Sequence, residues 1–326
     1  MDFSQTIFLQ TYSKIEKNVL NKKWKCVHKN CVNISINSHL LQKNGILNNI
    51  TENGHIVQFG LNNVYNYSEG KFSFKKTGIN KAISLPLFCN EHDTLIFKPI
   101  EIDVIDFNNY YVQMLFSYRS ICAEIRRKEI TFEVENQSLH SEILSTMIDK
   151  EMVKSFLSNV KLGIQDLTFF KKAIEKELNG NKQKDFSFHV FKYNCLDVCT
   201  STVFSPVPDG ILNSFISQFS KKPWRQVFVN LVPQTDFLYV IIGFHNDFNS
   251  KWITKFISKW NTNDLEQQQL NISNLMATRV KDWALSISLY NLIPEPKKQF
   301  FINYFSLNSR DFSEHLNFED NLFCSS

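Results

Sequence analysis

The sequence predicts an α+β protein in three parts: a small cross-linked module at residues 20–105, a helical segment at 106–180, and a sheet-plus-helix domain at 185–326. Three observations predict this. Residues 24–105 carry short β-like pieces broken by Asn, Gly and Ser, with two close pairs of Cys or His. From 107 to 178 apolar residues recur at helical spacing. After the polar GNKQKD at 180–185 the period drops to two.

Residues 1–20 form a short leading segment. HIVQF (55–59) and KFSFK (71–75) are the β-like pieces of the first part, which reads as poor in core residues and in need of cross-links. The spacing of Phe107, Tyr111, Met114, Leu115, Tyr118, Ile121, Cys122 and Ile125 predicts an amphipathic helix ending near the basic run RRK at 126–128. A second helix is predicted over Ile143–Val160 and a third from Asp166, as N-cap, to the stop at Asn179-Gly180. FSFHVFK (186–192), QVFVNLV (226–232) and FLYVIIG (237–243) read as strands, with a loop at Pro206, Pro208 and Gly210. A short helix is expected around Trp252–Trp260. A longer one runs through Met276, Val280, Trp283, Ile287 and Tyr290 and closes at Pro294.

Hydrophobic residues make up 43% and charged residues 21%, an ordinary globular composition. The net charge of +4 is too mild to point to nucleic acid, though it leaves room for a local basic face. Scarce Gly with abundant Asn, Lys, Ile and Phe suggests an AT-rich bacterial genome. No basic leader precedes an apolar core, and no apolar run reaches the roughly 18 residues of a membrane helix, so a cytoplasmic protein without membrane contact is expected. Seven cysteines in a reducing compartment are metal ligands or buried small residues.

Cys26 and Cys31 have four residues between them, and Cys89 and His92 have two. Each pair can wrap one ion from a tight turn. Three thiolates and an imidazole suit a closed tetrahedral Zn²⁺. Lys25, Lys29 and nearby amides would help keep the thiolates ionised. His28 is an alternative ligand. CLDVC (195–199) reads as buried strand cysteines, and His189 and His245 as core residues. KKPWRQ (221–226) reads as a solvated turn. G-x-S-x-G, Walker and dinucleotide-binding motifs are absent.

The order of CVHKNC (26–31), SHLLQ (38–42) and FCNEHDTLIF (88–97) resembles the HNH, or ββα-metal, endonuclease family. With GINKA (78–82) and FCNEHDTLIFKPIE (88–101) it also resembles a group of poorly characterised bacterial proteins, over about the first third of the chain. The resemblance implies a zinc-held, treble-clef-like module. It implies metal-assisted phosphodiester hydrolysis of DNA or RNA, in a setting such as defence against phage. It places His39 as general base and Asp93 as ligand of a catalytic Mg²⁺ or Mn²⁺, with Asn37 or Asn90 orienting the base. Ser38 stands where the family has an acidic residue, and Leu95, Ile96 and Phe97 stand where it has Lys or His. The alternative is a non-catalytic zinc-stabilised binding or regulatory protein on a degenerate scaffold, with His39 buried, Gln42 packing and Asp93 capping its helix.

Overall fold

The computed structural model describes residues 3–62, 72–102, 104–180, 183–208 and 222–324. Lys71, residues 181–182, Gly210 and Lys221, which figured in the expected strand, linker, loop and turn, lie outside this set. The fold is a mixture of helix and sheet, as expected of an α+β protein.

In chain order the elements are α1 (Phe3–Leu20), β1 (Asn37–His39), β2 (His55–Leu61), β3 (Phe72–Gly78), β4 (Ser84–Pro86) and α2 (Asn90–Phe97). Then come the long α3 (Tyr110–His140) and α4 (Lys150–Leu178), and the strands β5 (Phe186–Asn194), β6 (Val198–Phe204), β7 (Val227–Pro233) and β8 (Phe237–His245). The chain closes with α5 (Lys251–Ser258), α6 (Leu265–Thr278), β9 (Trp283–Leu285), α7 (Ile287–Leu292) and α8 (Glu295–Asn308).

Seven strands form one antiparallel sheet in the order β3-β2-β9-β6-β7-β8-β5. Successive side chains on a strand point to opposite faces, and the burial follows that parity. Val227, Val229 and Leu231 of β7 enter one apolar cluster, Phe228 and Val232 the other. The cluster with Phe228 and Val232 is closed by α3, α4 and residues of the first hundred, and the cluster with Val227, Val229 and Leu231 by α5, α6 and α8. Coverage on both faces explains why β6 and β7 are buried at every residue.

Several sequence expectations change here. The β2–β3 hairpin pairs with β9, so the main sheet runs from the first part of the chain into the last. The first part is not poor in core: Leu40, Leu41, Ile46, Leu47, Ile50, Leu87 and Phe88 are all at most 2% exposed. Their apolar pairs are interrupted by Asn and Gly, which hid the pattern. The 126–128 run lies inside α3. There Arg126 donates to the Lys25 carbonyl (2.6 Å) and Arg127 pairs with Asp282 (3.2 Å). The second and third expected helices are one, capped by Asp149, whose carboxylate accepts from the Glu151 and Met152 amides; Asp166 is interior. The expected long helix at 276–290 is interrupted by β9, which holds Trp283. Cys199 is buried in β6 as expected, whereas Cys195 is exposed in the turn before it and His189 is exposed on β5. Among the described residues no helix is long and apolar enough to cross a membrane.

Candidate metal centre and the site beside it

The centre is built by two turns. In the first, Cys31 N–H donates to the His28 carbonyl (3.1 Å), and Asn30 takes φ +61°, a left-handed turn that Asn tolerates better than most residues. The second is the start of α2, where Cys89 holds the N-cap position and His92 lies in the first turn. Backbone bonds lock the turns together: Val27 N–H to Leu87 O (2.9 Å) and Ile36 N–H to Phe88 O (2.7 Å). Between them runs a two-stranded antiparallel ladder, β1 against β4, with Ser38 opposite Leu85. A turn, a two-strand ladder and a helix thus converge on one point.

Cys26, Cys31, Cys89 and His92 place all their ligand atoms within 4.8 Å of one another. Cys31 Sγ lies 3.9 Å from Cys89 Sγ, Cys26 Sγ 3.6 Å from His92 Nδ1, and Cys89 Sγ 3.1 Å from His92 Nδ1. A tetrahedron with usual zinc bond lengths has S···S edges of about 3.8 Å and S···N edges of about 3.6 Å. Two edges match, and the third closes with a shift of about half an ångström. Burial drives the Cys26 thiol up to about 11. Burial also raises Cys89, but hydrogen bonds from the His92 backbone and ring and from Cys31 and Cys26 outweigh it and hold Cys89 at about 7. Three sulfurs and an imidazole this close together suit a divalent cation, which binds thiolates and offsets their charge. The donor set fits zinc. Among the described residues this is the one group of three or more Cys, His, Asp or Glu side chains that converges in this way.

Partners of the ligands extend into the protein. Asn33 Nδ2 lies 3.9 Å from Cys89 Sγ. His28 is not in the ligand set; its ring packs on His92 with centroids 4.1 Å apart. His28 Nδ1 lies 3.2 Å from the Tyr118 hydroxyl, which donates to Glu175 (2.8 Å). Lys171 also donates to Glu175 (2.6 Å). Tyr118 and Glu175 are buried, and burial pushes the Tyr118 hydroxyl far up, fixing it as a donor. This chain ties His28, and through its ring packing His92, to α3 and α4. Tyr118 reads in the sequence only as a helix-face residue, and Glu175 and Lys171 carry no motif. The only trace was polar residues inside otherwise apolar helical faces.

His39 ends β1 and is partly exposed, not buried. Its Nε2 lies 2.9 Å from the Ile79 carbonyl. A carbonyl only accepts, so Nε2 carries the proton and Nδ1 keeps its lone pair. Among the described residues Nδ1 has no protein partner. Burial lowers the His39 pKa first, Lys43 and Arg119 add to this, and the Ile79 carbonyl and Asp93 oppose it. The ring is therefore neutral at pH 7. Ile79 belongs to GINKA, whose Asn80 accepts from Lys43 (3.3 Å). Directly after the segment comes Ile83, buried with φ +43°, a strained state for a β-branched residue that costs on the order of 1–3 kcal/mol.

Asp93 lies in the first turn of α2, and the N-cap is Cys89, which corrects the expected capping role. Its Oδ1 is buried without a hydrogen bond and lies 3.7 Å from Arg119 Nη2. Burial raises its pKa, and Arg119 pulls it back. Arg119 is 1% exposed, pairs with Glu101 (2.6 Å) and packs on the Phe97 ring (3.8 Å). His39, Asp93 and Arg119 thus form one electrostatic group. Asn37 is committed to Ser84 Oγ (2.7 Å). Gln42 packs over Gly45. The chain matches no protein-family model, no curated protein and no solved structure.

Proposed function

We propose that the first third of the chain is a zinc-held ββα module of HNH type that acts on nucleic acid by metal-assisted phosphodiester hydrolysis. Cys26, Cys31, Cys89 and His92 would hold the structural zinc. His39 is the general base. The observation that carries the reading is that His39 ends the first ladder strand with Nε2 pinned to Ile79 O (2.9 Å) and Nδ1 left as an acceptor, while the helix bearing Asp93 follows the second strand. Nδ1 takes a proton from water as the water oxygen bonds to phosphorus, and the bond to the leaving oxygen breaks; that oxygen takes a proton from solvent. Asp93 would hold Mg²⁺ or Mn²⁺, which when bound offsets charge on the scissile phosphate. Asp93 Oδ1, buried and unbonded, is the oxygen suited to it.

Charge supports a polyanionic partner. Between Glu16 and Glu91 there are ten lysines and two acidic residues, Glu52 and Glu69, although the whole chain carries only +4. Defence against foreign DNA is the setting the sequence resemblance suggests.

The test is cleavage of plasmid and of RNA with Mg²⁺ or Mn²⁺. His39→Ala is expected to lose about 10²- to 10⁴-fold in rate at unchanged zinc content. Equal nicking by both proteins removes the catalytic claim. A second reading is the non-catalytic zinc-stabilised binding or regulatory protein, which the buried Arg119 favours: a fixed guanidinium already faces Asp93. On that reading Arg119 makes a divalent ion redundant, and neither protein cleaves.

A further inference from the structure

We propose that the last part of the chain carries a second, independent site, which binds a phosphate-bearing small ligand of mononucleotide size. It lies about a cavity of about 250 Å³ between α5, Asn274 and Arg279 at the end of α6, and the segment 314–317. Four of its residues, Trp252, Lys255, Phe256 and Lys259, stand at i, i+3, i+4 and i+7 and so share one face of α5. That face alternates ring, ammonium, ring, ammonium. Trp252 and Phe256 stack with centroids 5.0 Å apart at 10°, which makes a rigid wall. Lys255 and Lys259 are exposed, and among the described residues their ammonium groups have no carboxylate partner.

The third cation is Arg279, which lies 5.4 Å from the Trp252 ring. Its Nη2 donates to the carbonyls of Ser313 (2.8 Å) and Leu316 (3.4 Å), so the guanidinium is held in place by neutral groups. Its Nη1 is buried without a hydrogen-bond partner, and Asp311 and Glu314 nearby offset part of its charge. The one acid in the lining, Glu314, is engaged by Arg225 (3.2 Å). Asp311, close by, accepts from the Ser313 amide (2.8 Å) and its hydroxyl. The balance in the cavity is therefore cationic, with two ammonium groups, a fixed guanidinium and a flat apolar wall. A phosphoryl group satisfies the cations and a base lies against the rings. The volume lies just below the usual range of about 300–1,000 Å³ for small-molecule sites, so a mononucleotide would be only partly enclosed.

The test is calorimetric titration of the full chain with inorganic phosphate, adenosine monophosphate, adenosine and a 5′-phosphorylated oligonucleotide. Adenosine monophosphate is expected to bind at least tenfold more tightly than phosphate or adenosine alone. Lys255→Ala with Lys259→Ala is expected to weaken it at least tenfold, and Arg279→Lys to weaken it similarly. Far-UV circular dichroism and zinc content report that each variant is folded. Preference for the oligonucleotide over the mononucleotide would reassign the site to a nucleic-acid end. Absence of binding at millimolar ligand, or equal binding by the double lysine variant, overturns the proposal. Neither result depends on whether His39 supports cleavage.

Discussion

The turn at Cys26–Ile36 and the strand β7 at Val227–Pro233 are held by opposite means. In the turn, Val32 is 75% exposed, Ile34 49% and Ile36 41%. In β7 all seven residues are buried. At about 25 cal/mol per Å², β7 is stabilised by what it removes from water. The turn leaves these three side chains in water; it carries two of the four candidate ligands and is tied by two backbone bonds to the Leu87–Phe88 arm and by Arg126, which donates to Lys25 O and covers Trp24 at 4.6 Å. One chain thus joins a turn built around a candidate metal centre to a sheet built on apolar burial.

The strongest way to break the comparison is Cys89→Ser. Zinc content is expected to fall from one per chain to none. Amides of residues 24–36 should lose hydrogen-exchange protection while β7 keeps its own. Structural zinc contributes about 10–16 kcal/mol in isolated zinc-finger peptides, so the local effect is the largest expected. Unchanged protection in 24–36 would mean that packing on α3 holds the turn. The converse is Phe228→Ala, expected to cost about 3–5 kcal/mol of global stability in denaturant with zinc content unchanged. Parallel loss of zinc would show that the two regions are one cooperative unit.

Tyr118→Phe probes the join between them. It removes the hydroxyl between His28 and Glu175 and leaves Glu175 with Lys171, at a cost of about 1–3 kcal/mol. Zinc release to a chelator should quicken more than the stability loss alone requires. Equal release rates would confine the network to packing. The smallest effect concerns pH. His39 is depressed below the usual 6.5 by burial, with Lys43 and Arg119 adding and Asp93 opposing. The unfolded chain therefore binds its proton first, so this contribution to stability is present above pH 6.5 and is lost as pH falls through the folded value. Protection around β1 and any cleavage rate should hold at pH 6.5 and decline only below it. In His39→Gln the acid decline around β1 should vanish.

The four candidate ligands were legible because turn spacing fixes which side chains can meet. Their convergence across 58 residues, from Cys31 to Cys89, followed from chemistry alone. The long helices were legible from periodicity, although Asp149 rather than Asp166 is the cap, because the 143–160 and 166–178 patterns continue through one helix. β6 was hidden because Thr200, Ser201 and Thr202 read as polar yet are buried in mid-sheet. β9 was hidden because Met276, Val280, Trp283 and Ile287 happen to be spaced at helical intervals. The partners of Tyr118, 57 and 90 residues away, have no local signature at all.

β9 has a consequence for how the molecule comes into being. Its three residues sit between β2 and β6, pairing Phe59 with Trp283, Gln58 with Ala284 and both Val57 and Val198 with Leu285. On the ribosome, the turns of the candidate metal centre are complete once His92 has emerged, but the β2–β3 hairpin must wait more than two hundred residues for its neighbour. Until Trp283–Leu285 emerge, that hairpin presents an unpaired strand edge to the crowded exit vestibule, and synthesis of the last stretch decides when the two halves become a single sheet.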